Sequence, residues 1–339
     1  MNPWHKENGP LWLLAPMEDV TDTVFRRIIR QASGPAPVVF YTEFASTDGL
    51  THEYAHDKVA HRLRYTKTER PLIAQIWGKN PAHYREVAAE IVRLGFDGID
   101  INMGCPVKKI IKQGSCSALI KNPTLASEII QAVQEGVAGQ IPVSVKTRIG
   151  FDSIVTEEWC SHLLSHQLAA LIVHGRTTRE LSKVPCHWDE IAKVPGLRDE
   201  LAPNTLIIGN GDVVSREHGE ELIARTKVDG IMVGRGIFKN PWFFHPDYPL
   251  DSQGQVLQSG TPVQPRARLE LFLTHLTLWQ ETYAAGARHH YPSLRKFAKV
   301  YLQGFVGAGS LRQEFMGTTQ VEAGVTLLES ALASIEADE

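Results

Sequence analysis

The chain has 339 residues, 43% of them hydrophobic and 22% charged, with a formal net charge of −3. That length suits two domains, or one α/β barrel of about 250 residues with an appendage, and the composition excludes a largely disordered chain. The charge excludes nucleic-acid recognition through bulk basicity, so such a partner would have to meet local basic patches.

In chain order, short apolar runs alternate with helix-like stretches. The first run covers 11–15, and a helical pattern over 21–31 follows it. Further runs lie at 38–41, 72–76, 99–101, 143–145, 169–173, 206–208 and 231–233. After the third, Asn80 suits a helix cap, Pro81 the first turn, and Gly95 the end. Eight β-type runs, most with room for a helix between them, predict parallel strands covered on the outside. An eight-stranded parallel (β/α)8 TIM barrel fits both count and length. A doubly wound open sheet is the rival, and the lack of a GxGxxG motif after the first run counts against it. Residues 245–265 (HPDYPLDSQGQVLQSGTPVQP) read as a linker. From 266 onward three or four amphipathic helices predict a C-terminal all-α helical domain.

The four cysteines, Cys105, Cys116, Cys160 and Cys186, include no CxxC pair and give no metal-site spacing. In so long a chain they do not form a disulfide framework, which predicts a reducing compartment. No apolar run is long enough to span a bilayer and no signal pattern opens the chain. A cytoplasmic monomer with no membrane partner is the expectation.

In a parallel barrel, chemistry gathers at the carboxyl ends of the strands. The residues that close the runs are, Met17 apart, a mainly polar set: Met17, Glu43, Gln75, Asn102 with Cys105, Lys146 with Arg148, His174 with Arg176, Asn210 with Asp212, and Arg235. Singly, each reads as a turn or cap; in a barrel they converge on one face. GNGD over 209–212 and GRG over 234–236 follow the last two runs. Glycine there lets main-chain amides approach an anion, and Arg235 adds a forked donor, as a phosphate site needs. Lys146 lies inside a strand, in SVKTR, and must face either the barrel mouth or a partner, because burying an unpaired ammonium is costly. Flavin mononucleotide (FMN) would use these parts together. A sugar phosphate would use the same loops, and composition does not choose between them.

The chain resembles the tRNA-dihydrouridine synthases. The matching pieces, in the family's order, are APMEDVTD (15–22), QIWGKNP (75–81), INMGCPVKK (101–109), VKTRIG (145–150), VHGRT (173–177), GNGD and GRGIFKNPW (234–242). RKFAKVYLQGF (295–305) resembles the family's helical-domain motif. The resemblance implies an FMN-binding catalytic barrel over 1–250 and a helical tRNA-binding domain over 262–339. It implies NADPH-dependent reduction of the C5–C6 double bond of a uridine in tRNA. It places FMN against Pro16 and Met17, with Gln75, Lys146 and His174 near the ring. Asn210, Gly211, Asp212, Gly234 and Arg235 would hold the phosphate, and Asn102, Arg148, His174 and Arg176 would surround the uracil. The chain departs from the pattern at Asp19, where the family has glycine, at the glycine-poor SCSAL (115–119), and at Phe297 in place of histidine.

Reduction of uracil leaves negative charge on C5 that must be protonated. Cys105, between Gly104 and Pro106, is the expected general acid, as a thiol near its free pKa of about 8.5. Lys108 and Lys109 would push it toward thiolate; Cys116, in the same segment, is the competing acid. Residues 107–121 carry four lysines and no acid, and 288–312 carry five Lys or Arg and no acid. Such patches suit phosphate contacts, with Arg295 and Lys296 as candidates, although a solvated helix face looks the same. The rival activities are an FMN barrel reducing a free pyrimidine, like dihydroorotate dehydrogenase, and a non-catalytic RNA-binding module.

Overall fold

The computed structural model describes residues 2–5, 9–247, 265–283 and 291–338. Most of the expected linker and Arg288 lie outside the described residues. The chain divides into two compact units, Met1–Thr23 with Pro37–Gly234, and Val24–Ala36 with Arg235–Glu339.

The first unit is a closed barrel of eight parallel strands. They are β1 (Leu11–Leu14), β2 (Val38–Tyr41), β3 (Leu72–Trp77), β4 (Gly98–Met103), β5 (Val143–Arg148), β6 (Ala170–His174), β7 (Leu206–Asn210) and β8 (Gly230–Val233). Each pairs with the next, and β1 pairs with β8 to close the ring. The expected (β/α)8 TIM barrel is therefore the fold. Closure pairs each barrel strand on both sides, and a two-residue strand, Ala45–Ser46, adds to β3 alone.

The barrel interior changes character along its axis. Leu13, Val39, Ile73, Ala170, Ile172, Ile208 and Met232 form one buried apolar cluster. Farther along the strands stand Gln75, Asp100, Asn102, Lys146, His174 and Asn210. Several strands accordingly run beyond their apolar stretches: β4 reaches Met103, β5 Arg148 and β7 Asn210. The register sets Asn102 beside Lys146, Arg148 beside His174, and His174 beside Asn210.

Local chemistry places the covering helices. Asn80 Oδ1 accepts the N–H of Ala82 at 3.0 Å, and Pro81 opens the helix Pro81–Arg93. Its neighbour Pro123–Val137 is capped by Asn122 in the same way. A Cβ at Gly136 would lie 2.4 Å from the Arg85 carbonyl, so the close approach of these two helices requires glycine.

The second unit holds the helices Pro265–Tyr283, Ala298–Tyr301, Ala308–Gly317 and Val321–Asp338, with a 3-10 segment over Tyr291–Phe297. The helix Thr23–Ala32 contributes Val24 onward to the same unit. Phe25 stacks on Phe297 with ring centroids 5.2 Å apart and also meets Phe238 and His275. Phe272 stacks on Tyr301 at 4.6 Å, and His275 Nδ1 bonds the Tyr301 hydroxyl at 2.8 Å. These aromatic contacts lie in this unit's core together with Leu269, Leu276, Leu302 and Leu328.

Candidate active site

The strands β3, β4 and β5 share one buried polar chain. Ser144 Oγ donates to Asp100 Oδ1 at 2.6 Å, and Gln75 Nε2 donates to Asp100 Oδ2 at 2.7 Å. The Gln75 amide thus turns its nitrogen to Asp100 and its oxygen away. That oxygen accepts from Asn102 Nδ2 at 3.0 Å. Asn102 Oδ1 is thereby aimed at the loop after β4, where it accepts the N–H of Gly104 at 3.1 Å and of Cys105 at 2.9 Å. Burial pushes the Asp100 carboxyl up to about 7, against the opposing pull of Ser144, Gln75 and Lys146.

Cys105 stands on this loop, 9% exposed. A hydrogen bond from the Cys116 thiol pulls its pKa down to about 7, helped by the Val107 amide and Arg148 and opposed by burial. The sequence-based expectation of a thiol near its free value is corrected here. The lowering comes from Cys116 first, whereas Lys108 and Lys109 are exposed on the short helix Lys108–Ile111. Cys116 is fully buried, and burial raises its own thiol well above the ordinary value.

Arg148 is 5% exposed and clamps two loops. Its Nε donates to the Gly104 carbonyl at 2.7 Å, and Nη1 reaches the Thr177 and Leu181 carbonyls, each at 3.1 Å. Its Nη2 has no hydrogen-bond partner among the described residues. Lys146 Nζ donates to Asn210 Oδ1 at 3.1 Å, and Asn210 Nδ2 donates to the Met232 carbonyl at 2.8 Å. Burial and nearby Arg148 bring the Lys146 ammonium down to about 8.

Across the mouth, Arg176 Nη1 meets His174 Nε2 at 3.3 Å, and its Nη2 pairs with Asp212. An arginine only donates, so His174 Nε2 accepts and the neutral ring carries its proton on Nδ1. Gly211 has φ +134, and a Cβ there would meet Cys186 Sγ at 2.4 Å. Its carbonyl accepts from Trp188 Nε1 at 3.0 Å.

Pro16 and Met17 are half-buried after β1. Thr21 holds this turn, accepting from the Met17 N–H at 2.9 Å. Asp19 has φ +58, which explains why glycine suits this position, and its N–H donates to Glu43 Oε1 at 2.6 Å. Burial, with Asp22 nearby, pushes Glu43 up to about 7. Gly234 ends the first unit, and Arg235, exposed, begins the second.

The structure thus joins Gln75, Asn102, Cys105 and Arg148 in one network, Lys146 with Asn210 in a second, and His174, Arg176 and Asp212 in a third. Arg295 and Lys296 belong to the helical unit. There Arg295, Lys299 and Arg312 line a groove with Gln313 and Met316. Asp100 and Ser144 were missed in the sequence. The available signal was strand alternation, since Asp100 lies two residues before Asn102 and shares its face. Among the described residues no cluster of metal ligands occurs, and no helix is long and apolar enough to cross a membrane.

The family model "Dihydrouridine synthase (Dus)" matches residues 13–336. The chain is 40% identical over 338 residues to a probable tRNA-dihydrouridine synthase of Staphylococcus aureus (strain COL), covering 99% of this chain and 98% of the relative. It is 42% identical over 329 residues to the probable tRNA-dihydrouridine synthase 2 of Bacillus subtilis (strain 168), covering 97% and 96%.

Proposed function

The chain belongs to the dihydrouridine synthase family, a family of enzymes, and from that premise we propose that it reduces the C5–C6 double bond of a uridine in tRNA with Cys105 as general acid. FMN is the proposed resident cofactor and NADPH the reductant. The donor set fits such a group. Lys146 brings three ammonium donors to the mouth, and Asn210 Oδ1 takes one of them, which suits an anionic ring or phosphate. Pro16, Met17, Gln75, Lys146 and His174 would hold the ring, and Asn210, Gly211, Asp212 and Gly234 the phosphate tail. When bound, that cofactor supplies the hydride for C6 of the uracil.

The chain's own residues manage the proton. Cys105 Sγ holds the hydrogen destined for C5. Cys116, the Val107 amide and Arg148 stabilise the thiolate left behind, so the thiol is a stronger acid than a free one and is matched to neutral pH. Asn102 and Arg148 position the loop that carries it. Arg148 Nη2 is the proposed contact to a uracil carbonyl, and Arg176 orients His174 beside the base. A uridine stacked in folded tRNA must be drawn out to reach this mouth. The basic groove of the helical unit offers phosphate contacts for the rest of the tRNA.

The observation that supports this reading most is the placement of Cys105: at the barrel mouth, in a loop fixed from below by Asn102 and from the side by Arg148. The test is the visible spectrum of the purified protein, followed by a dihydrouridine assay on tRNA that lacks the modification. A flavin spectrum and NADPH-dependent dihydrouridine formation are expected. A colourless protein, or tRNA left unmodified, would overturn the proposal. Reduction of free uracil or orotate instead would favour the free-pyrimidine activity.

A further inference from the structure

We propose that Cys105 and Cys116 form a redox pair, closing an intramolecular disulfide under peroxide that withdraws the Cys105 thiol from proton donation. The loss of activity rests on the role proposed above for Cys105; the disulfide itself does not.

The two thiols lie near enough for each to shift the other's acidity. The segment bearing Cys116 is tied to Cys105 a second way: Ser117 Oγ donates to the Cys105 carbonyl at 2.9 Å, and its N–H points to the same oxygen at 3.5 Å. The chain between them turns through Lys108–Ile111 and returns at Gly114, with φ +79. Cys116 itself has φ +56, a left-handed conformation that favours glycine. Backbone geometry therefore argues against a side chain at this position, yet a thiol stands there, one residue from the Ser117 that bonds the Cys105 carbonyl.

The two groups differ as an attacking and a resolving cysteine must. Cys105 keeps 9% of its surface exposed and has a lowered pKa, so it supplies thiolate near neutral pH, whereas Cys116 is fully buried and remains a thiol. Cys160 is fully buried, and burial pushes both it and Cys186 up to about 12, which keeps them out of the chemistry. The Cys105 thiolate attacks a hydroperoxide oxygen; the O–O bond breaks, and with hydrogen peroxide a protonated hydroxide leaves as water, giving a sulfenic acid. Cys116 Sγ then attacks the sulfenic sulfur. The S–S bond forms, the S–O bond breaks, and the hydroxyl leaves with the thiol proton as a second water. One peroxide is reduced by two electrons and two thiols are oxidised by the same two. A dithiol reverses the change by exchange.

The test treats the reduced full-length protein, as purified, with hydrogen peroxide, alkylates the remaining thiols and digests with trypsin. Cleavage after Lys108 and Lys112 separates the two cysteines. A disulfide therefore appears as the peptide of residues 94–108 joined to that of residues 113–121, released by dithiothreitol. The expected result is this species with the loss of two titratable thiols. In Cys116→Gly, which suits the left-handed backbone, and in Cys116→Ser, Cys105 should instead stop as a sulfenic acid trapped by dimedone. Oxidation of Cys105 in the wild type to sulfinic acid without the joined peptides, or a bridge to Cys160 or Cys186, would overturn the proposal. The peptide readout needs no turnover. A bridge in a protein that never reduces tRNA would refute the proposed function alone, and tRNA reduction without a bridge would refute the redox pair alone.

Discussion

Asn102 Oδ1 receives the Cys105 N–H at 2.9 Å while its own amide donates to Gln75 at 3.0 Å, so the loop that carries the thiol is anchored to the barrel interior by one side chain. Asn102→Ala removes the acceptor of two buried amides. Each buried group left without a partner costs about 1–3 kcal/mol, although repacking and water reduce the sum. The variant should lose about 1–3 kcal/mol of stability in urea unfolding. It should also lose about tenfold or more in single-turnover tRNA reduction, because a small displacement of a proton donor is expensive. Wild-type rates in this variant would contradict the anchoring role.

The pH dependence of the reaction follows from the Cys105 value of about 7. A general acid must be protonated, so the single-turnover rate should be level at lower pH and fall as pH rises through about 7. Beyond that point the decline approaches tenfold per pH unit. Cys116→Ser keeps a hydroxyl donor and should move the break modestly. Cys116→Gly removes the largest lowering influence, so its break should lie at higher pH. A profile that is identical in all three proteins would exclude Cys116 from setting the donor's acidity.

Asp100 and Glu43 both have folded values near 7, above their ordinary values of 3.8 and 4.5. Between those limits the folded chain binds more protons than the unfolded chain. Stability should therefore decline as pH rises from about 4 to about 7 and level off above it. Asp100→Asn removes one of the two titrating groups while preserving shape, and should flatten that decline. Thermal unfolding at several pH values measures it; an unchanged slope would mean that Asp100 titrates normally.

In the helical unit, Lys299 and Arg312 line the basic groove and Lys296 is exposed beside it. A Lys296→Ala, Lys299→Ala double variant should weaken tRNA binding at low salt. It should also reduce the slope of log affinity against log salt by roughly 0.7–0.9 for each phosphate that is no longer neutralised. Electrophoretic mobility shifts across a salt series provide the measurement, and an unaltered slope would remove these lysines from the interface.

The eight strand positions were legible because a closed parallel barrel buries both faces of each strand, leaving apolar runs at regular intervals. Their ends were less legible. A run stops where the barrel interior turns polar, whereas the hydrogen-bond ladder continues, so Asn102, Arg148 and Asn210 lie within strands and not after them. Asp100 was overlooked for a related reason, since a carboxylate between two isoleucines looks like an interruption until its two hydrogen-bond partners, Ser144 and Gln75, are known. The pairing of Cys116 with Cys105 depends on the turn at Lys108–Ile111 and the return at Gly114, which spacing does not encode. The helix Ala308–Gly317 was also missed: only Ala308 and Phe315 of its residues are buried, so its apolar periodicity is faint.

The helical unit draws Val24–Ala36 from near the start of the chain and Arg235–Glu339 from its end. During synthesis, the segment bearing Phe25 leaves the ribosome roughly two hundred residues before Phe238, His275 and Phe297 exist to receive it. Until translation is nearly complete, that early helix must keep its aromatic side solvated or shielded by a chaperone. Premature stop codons beyond the barrel are therefore expected to yield sticky, aggregation-prone fragments instead of a tidy minimal catalyst.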